Sequence, residues 1–457
     1  MQLFRLADGG VEQDIEEIWS ATISAIHQAV RTAKASEIQA IGVSSQGGAM
    51  QVLDQQQRPL GRVISWLDQR GRAFDDQLTA ELGRDWFRER IVHGGSWLSI
   101  GQVLRLQRQQ PGLVDAPNRI GFVGDVIVSR LCGKTMQDGT SAGLTLFYNP
   151  KLRGYDPDLL DRLGLAAEQF PDLTAAATAA AGLLPSVASQ TGLRAGIPIS
   201  APVHDQYAAA LGTGAVKAGT LMVGTGTAWV LLAIGDRLPR PVTNDALVCH
   251  HLIDGLWGQI LSMVNGGSAL TWALELIGQA GANGSAIDQL LEAAPPGCDG
   301  VRFWPFMTPF GATGVAAGTR GRLSGLQLSH RPAQVIRALV EGLAFELNRH
   351  RGFLQQADLN VHELVLGGGA AASRITPQLL ADVTGLPLRC FGGGEASLRG
   401  ATILARALLE PETPLAELSA RMLPPATEVR PGEHRAHYRE QYEHYLASLP
   451  LLEGTIS

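Results

Sequence analysis

The sequence predicts an α/β protein with two large domains. A chain of 457 residues is longer than one hydrophobic core usually supports. Short apolar, β-prone segments alternate with longer amphipathic segments, as in folds where strands and helices follow one another. The 54 glycines are dispersed at turns between apolar runs, where the backbone can approach a ligand closely.

The first half of the chain begins with a predicted helix over residues 11–35. Asp14 is its predicted cap, and Glu17 completes a capping box. Short strands are predicted at Glu37–Val43, Met50–Leu53 and Val63–Trp66. The alanine-rich tract 174–182 predicts either a helix or a surface connection.

The second half is predicted to start with hairpin strands and to continue with helices. Thr220–Ile234 and Ala246–Leu261 predict the hairpins, and Pro332–Gln355 predicts a long amphipathic helix. A strand at Glu363–Leu366 enters Gly367–Gly369 and is followed by a helix through Ala381. The chain changes character near Lys217–Gly219, which predicts domains over 1–217 and 218–457.

Composition argues against several classes of partner. The formal net charge is −6, and no run of Lys or Arg is present, so we expect no nucleic-acid partner. No apolar run reaches the ~18 residues that span a bilayer. The start, MQLFRLADGG, lacks the regions of a signal peptide, which predicts a cytoplasmic protein.

The cysteines do not indicate a metal site. They are widely separated and form no Cys-x-x-Cys pair; they are Cys132, Cys249, Cys298 and Cys390. Cys249-His250-His251 offers three potential metal ligands in a row. Adjacent residues of a strand point to opposite faces, so partly buried side chains are the preferred interpretation. The sequence therefore predicts no metal ligands.

Pro202–Val230 carries the strongest chemical signal. Asp205 stands at the start of a run of small residues, and a Gly224–Thr227 turn follows between two apolar segments. An isolated carboxylate can take a proton from a hydroxyl, and a Gly/Thr turn can offer backbone N–H groups and hydroxyls to phosphate. Together they predict phosphoryl transfer to an alcohol.

The same block resembles the central segment of the FGGY carbohydrate kinases, which include xylulokinase, ribulokinase and glycerol kinase. The resemblance implies that Asp205 is the catalytic base and that Gln206 contacts the sugar. It also implies that the hairpin residues Gly224, Thr225, Gly226 and Thr227 hold the ATP phosphates. The implied fold is the two-domain actin/hexokinase/ribonuclease H-like (ASKHA) fold, with the active site in the interdomain cleft.

Further segments carry the resemblance in the family's order. They are Val11–Asp14, Trp66–Arg70, Gly321–Leu326, Gly367–Gly369 and Ala381–Gly385. The sugar-binding residues it implies are Gln46, Gly47, Asp68, Arg70, Trp97 and Gln206. The nucleotide-binding residues it adds to the hairpin are Gly267, Gly368, Gly369 and Ser373. It implies ATP and Mg²⁺ as cofactors, a pentulose such as xylulose or ribulose as substrate, and a monomer or homodimer.

Some of these residues also have a purely structural interpretation. Asp68 and Arg70 could pair with each other at the surface, and the triple glycine could be a plain turn. Trp97, in the polar Gly94–Trp97 loop, is the one tryptophan favoured as a pocket residue. Two glycines, Gly47 and Gly48, replace side chains that shape the sugar site of xylulokinases.

The start of the chain departs from the family. The family's opening Asp-x-Gly-Thr hairpin is absent, and Asp8–Gly10 is interpreted as preceding the first helix without a strand pair. This predicts a chain that binds sugar but turns over ATP poorly. A sugar-binding pseudokinase is therefore an alternative. A Rossmann dehydrogenase is a weaker one, because no strand-linked Gly-x-Gly-x-x-Gly is found.

Overall fold

The computed structural model describes residues 2–33, 37–263, 265–308, 313–316, 318–391 and 395–449. Its contacts divide the chain into two compact units. The first comprises 1–214, 244–258 and 397–422, and the second comprises 215–243, 259–396 and 423–457. The predicted division at residue 217 stays a prediction. Within the described ranges, every helix is too short or too polar to cross a bilayer.

The first unit contains two principal sheets. The larger has the spatial order Phe4–Arg5, Val11–Gln13, Val63–Ile64, Met50–Leu53 and Arg119–Phe122. The smaller has the order Ala179–Gly182, Pro198–His204 and Ile41–Ser45, the last two strands being parallel. The other strands of the first unit form two pairs, Met136–Asp138 with Asp172–Thr174 and Tyr148–Asn149 with Gly154–Tyr155.

The first unit contains eleven described helices. They are Ile15–Thr32, Arg72–Leu82, Arg84–Arg90, Ser99–Gln109, Val123–Cys132, Gly139–Gly143, Pro157–Arg162, Pro185–Thr191, Asp205–Gly212, Ala396–Leu409 and Leu415–Met422, with a 3₁₀ turn at Ala167–Gln169. One apolar core joins Ile15, Val126 and Ile199, so two helices share it with the smaller sheet.

The first predicted helix begins four residues later than expected. Asp14 does cap it, because its carboxylate accepts from the Glu16 N–H at 2.8 Å. Val11–Gln13 is a strand, held between Phe4–Arg5 and Val63–Ile64. The prediction that Asp8–Gly10 lacks a strand pair is therefore wrong: the segment is the turn of a short hairpin.

The alanine-rich tract is also not a helix. Its Ala179–Gly182 segment pairs antiparallel with Pro198–His204, and Asp172–Thr174 pairs parallel with Met136–Asp138. Alanine has the highest helix propensity, but intrinsic propensity is a weak preference, and ladder hydrogen bonds from neighbouring strands override it here.

The second unit is built on one mixed sheet. Its strands have the order Leu247–His250, Trp257–Ser262, Trp229–Gly235, Thr220–Thr225, Glu363–Gly368, Leu388–Cys390 and Thr427–Val429. Arg302–Trp304 and Arg322–Ser324 form a separate pair. The helices are Gly267–Leu276, Gly284–Glu292, Pro332–Gln356, Thr376–Thr384 and Arg435–Ala447, with 3₁₀ turns at Cys298–Gly300 and Gly369–Ala372. The predicted hairpins and the long helix are confirmed.

Candidate active site

Asp205 lies where a buried strand of the first unit becomes a helix. Pro198–His204 ends directly before it, and Asp205 is the first residue of Asp205–Gly212. The neighbouring parallel strand ends at Ser45, which is the register partner of His204. Ligands of open α/β sheets collect at the carboxyl ends of parallel strands. The Asp205 side chain is 41% exposed, so its carboxylate is open to a substrate.

The short helix Gly139–Gly143 fixes this strand end. Thr140 Oγ accepts from the His204 N–H at 3.2 Å, and Ser141 Oγ donates to the Pro202 carbonyl at 3.0 Å. Asp138 caps this short helix by accepting from the N–H groups of both residues. Burial raises the pKa of Asp138 to about 6. Asp138 therefore supports the strand that carries Asp205.

Gln46 follows the parallel strand at the same edge of the sheet. Its amide donates to Gln13 Oε1 at 2.9 Å, and Gln13 is buried in the strand Val11–Gln13. Gln206, on the helix that starts at Asp205, is half-buried. Gln13 did not enter the predicted site, and its only signal was its place in the Val11–Asp14 motif.

Gly47 does not leave an empty space. A methyl group at this position would lie 2.7 Å from Cδ2 of His204 and 2.7 Å from Cβ of Leu144. Gly48 adopts φ +69°, a left-handed conformation that favours glycine. The volume beside Gly47 is thus taken by the imidazole of His204, which the sequence analysis missed.

Asp68 and Arg70 form an ion pair with each other. Arg70 Nη2 lies 2.6 Å from Asp68 Oδ2 and 2.8 Å from Glu12 Oε1. The Asp68 side chain is fully buried, and it also accepts from the Val11 N–H. Burial raises the pKa of Asp68, but the hydrogen bonds from Arg70 and Val11 outweigh it and hold the pKa below its ordinary value. The pair fastens the strand that carries Gln13. A sugar contact by either residue stays a prediction.

Trp97 is partly buried and stacks on the buried His93, with ring centroids 5.7 Å apart. Burial lowers the pKa of His93 to about 4. Trp66, by contrast, is 49% exposed. A methyl group at Gly48 would lie 3.7 Å from the Cβ of Trp66, so this exposed ring stands close to the Gln46–Gly48 turn.

The loop that carries Trp97 is held by a buried acid. Asp75 Oδ1 accepts from Ser96 Oγ at 2.5 Å, and Thr79 Oγ accepts from the Ser96 N–H at 2.8 Å. Asp75 is 2% exposed, and burial raises its pKa to about 7. The folded state therefore favours the protonated carboxyl.

This pKa predicts a pH-dependent stability. The protonated Asp75 contributes to the free energy of unfolding. This contribution is fully present below about pH 4, the pKa of the carboxyl in the unfolded chain, and is lost as the pH rises through about 7. We expect Asp75→Asn to remove ~2–4 kcal/mol of the decline in unfolding free energy between about pH 4 and pH 8. Urea unfolding at several pH values measures it. The exposed Asp85→Asn is the control, and parallel pH curves for Asp75→Asn and wild type would contradict the prediction.

In the second unit, a tight turn joins two strands of the sheet. Thr220–Thr225 and Trp229–Gly235 pair antiparallel, with Thr225 opposite Trp229. Gly226 and Thr227 are exposed at the tip. Their carbonyls accept from the N–H groups of Gly267 and Ser268, both at 3.0 Å. A methyl group at Gly267 would lie 2.7 Å from the Gly226 carbonyl oxygen, so the helix start approaches the turn closely.

The predicted nucleotide-binding segment Gly367–Gly369 lies beside this turn. Thr225 is the register partner of Gly368 in the parallel neighbour strand. Its hydroxyl donates to the Gly367 carbonyl at 2.7 Å and accepts from the Ala370 N–H at 3.0 Å. Because both bonds are internal, the Thr225 hydroxyl fastens the turn, and a phosphate contact by this residue stays a prediction. Gly368, at φ +90°, packs against the Thr225 backbone.

The Ser373 hydroxyl also forms internal hydrogen bonds. Its hydroxyl donates to Asp288 Oδ1 at 2.6 Å and accepts from the N–H groups of Ile375 and Thr376. It thus ties the Gly369–Ala372 turn to two helices. The structure brings together Gly224–Thr227, Gly267, Gly368 and Gly369 in one unit, and Asp205, Gln46 and Gly47 in the other.

Comparison with known proteins identifies the family. Residues 3–212 match the N-terminal domain of the FGGY family of carbohydrate kinases, and residues 221–408 match its C-terminal domain. The chain belongs to the FGGY family of carbohydrate kinases. The predicted family and enzyme class are confirmed. FGGY kinases use ATP as phosphate donor.

Individual relatives span nearly the whole chain. The xylulose kinase of Escherichia coli (strain K12) is 27% identical over 450 residues, which cover 96% of this chain and 91% of that protein. A xyloylose kinase from Brucella ovis has a TM-score of 0.85 at 24% identity, covering 98% and 92%. Gluconate kinase from Lactobacillus acidophilus has a TM-score of 0.87 at 21% identity, covering 98% and 90%. These structures confirm the two-domain ASKHA fold of FGGY kinases.

Proposed function

We propose that this FGGY kinase transfers the terminal phosphoryl group of ATP to a hydroxyl of a pentulose, such as xylulose or ribulose. Asp205 is the general base: its carboxylate takes the proton of the attacking hydroxyl. The observation that carries this proposal is the exposed Asp205 carboxylate at the paired ends of two parallel strands, beside Gln46. The pentulose is inferred from relatives named as xylulose kinases.

The chain's own residues position the reactants. Gln46 and Gln13 offer amide groups on the sugar side, where hydroxyls both donate and accept hydrogen bonds. In the second unit, the exposed Gly226 and Thr227 leave room for a phosphate against backbone N–H groups. Phosphoryl transfer depends mainly on positioning and electrostatic stabilisation, so these contacts supply much of the acceleration.

Mg²⁺ fits this account as part of the nucleotide complex. Among the described residues, no group of three His, Cys, Asp or Glu side chains could hold a metal ion. Mg²⁺ in phosphoryl-transfer sites needs only one or two carboxylates besides waters and substrate phosphates. When bound to ATP, it neutralises charge on the phosphates.

ADP release tests the proposal across a panel of acceptors. We expect the highest kcat/KM with a pentulose among D-xylulose, L-xylulose, D-ribulose, gluconate and glycerol. A clear preference for gluconate or glycerol would support the assignment as a sugar kinase and would overturn the assignment of a pentulose as substrate. Sugar binding by calorimetry without sugar-dependent ADP release would support a pseudokinase instead. The exposed Asp205 carboxylate favours an active kinase over a pseudokinase.

A further inference from the structure

The imidazole of His204 is buried against the carboxylate of Asp205. Its Nε2 lies 3.3 Å from Asp205 Oδ1, and the residue is 7% exposed. The ring also meets Tyr207 edge-on, at a centroid distance of 6.2 Å. The backbone N–H of His204 donates to Thr140 Oγ, which fixes the main chain that carries the ring. His204 is thus a rigid neighbour of the proposed base.

The contact defines the protonation of the ring. Asp205 offers an acceptor, so the proton of a neutral imidazole belongs on Nε2. Nδ1 is buried and has no hydrogen-bond partner among the described residues, which suits a nitrogen without a proton. Burial lowers the pKa of His204, although the charge of Asp205 raises it. A neutral donor orients a carboxylate without the full positive charge that would weaken it as a base.

We propose that His204 is a positioning residue, which holds the carboxylate of Asp205 in the orientation that accepts the proton of the sugar hydroxyl. The proposal rests on Asp205 being the base of the proposed function. A general base must lie within hydrogen-bond reach of the proton that it takes, and small misplacements are costly in rate. A carboxylate at a partly exposed helix start has rotamer freedom, and the buried imidazole, with Nε2 3.3 Å from Oδ1, limits that freedom.

Gly47 makes this arrangement possible. A methyl group there would lie 2.7 Å from the His204 ring and 2.7 Å from Cβ of Leu144. Leu144 Cβ is close to the backbone and cannot move aside easily, so the imidazole must shift. The position of the His204 ring therefore requires glycine at position 47. Gly47→Ala should act on turnover through His204.

Steady-state kinetics of variants tests the proposal. His204→Leu keeps an apolar filling of the space and removes the donor, so we expect kcat to fall about tenfold while the KM for sugar stays within about threefold. His204→Gln places an amide N–H at a similar reach and should restore part of kcat. Gly47→Ala should lower kcat in the wild type and have a smaller effect in the His204→Leu background, because the two changes act on one contact.

The outcomes separate this inference from the proposed function. Wild-type kcat in His204→Leu, with Asp205→Asn inactive, would overturn the inference alone. A wild type without sugar-dependent ADP release would overturn the proposed function. In that case the contact is tested by ¹⁵N NMR of histidine-labelled full chain, with the His204 signals assigned by their loss in His204→Gln. We expect an Nε2-protonated ring whose shifts change in Asp205→Ala; unchanged shifts would overturn the inference.

Discussion

Replacing Asp205 by asparagine is expected to lower kcat by roughly 10²–10⁴-fold, with the KM for sugar nearly unchanged. Asparagine keeps the shape of the side chain but cannot take a proton. The carboxylate stands at the paired strand ends, 41% exposed, with His204 on one side. Sugar-dependent ADP release by purified protein measures the effect.

The control for this prediction is a neutralised aspartate elsewhere in the same unit. Asp161 is exposed on the helix Pro157–Arg162, so Asp161→Asn should retain wild-type kinetics. Thermal unfolding should show both variants folded. A folded Asp205→Asn protein with more than about a third of wild-type kcat would mean that another group accepts the proton.

Replacing Gly226 by valine is expected to raise the KM for ATP by about 30-fold or more, with the KM for sugar changed much less. Gly226 is exposed at the turn tip, and among the described residues only the Ala228 carbonyl, at 3.7 Å, lies near a methyl group placed there. The fold can therefore accept the side chain. The added carbons occupy the approach of a phosphate to the backbone.

Gly284→Val is the matched control in the second unit. Gly284 begins the helix Gly284–Glu292, is exposed and has open space around its Cβ position. Its substitution should leave both KM values unchanged. An equal rise of both KM values in Gly226→Val, or loss of folding in that variant alone, would show that the turn serves the structure and not the nucleotide.

The Gly224–Thr227 hairpin was predictable because its signals are local. Apolar, β-prone segments on both sides and a Gly/Thr turn between them specify two paired strands without any distant contact. The long helix Pro332–Gln356 also forms as predicted, although residues 336–350 are all buried and the helix is therefore covered on every side over that stretch. For these elements, local preference and tertiary packing agree.

Other features depend on contacts between residues far apart in sequence. The strand at Ala179–Gly182 forms because Pro198–His204 offers it a ladder, which alanine composition does not indicate. Val11–Gln13 is a strand for the same reason. The Gly47–His204 contact joins positions 157 residues apart, so the histidine appeared in the sequence only as the neighbour of Asp205.

The most direct test of the central claim is a product analysis by ³¹P NMR after incubation with ATP and D-xylulose. The account predicts one sugar phosphate ester for each ADP formed, with no ester from Asp205→Asn. ADP accompanied by inorganic phosphate at the same rate with or without sugar would contradict it, because Asp205 would then not direct the phosphoryl group to a sugar hydroxyl.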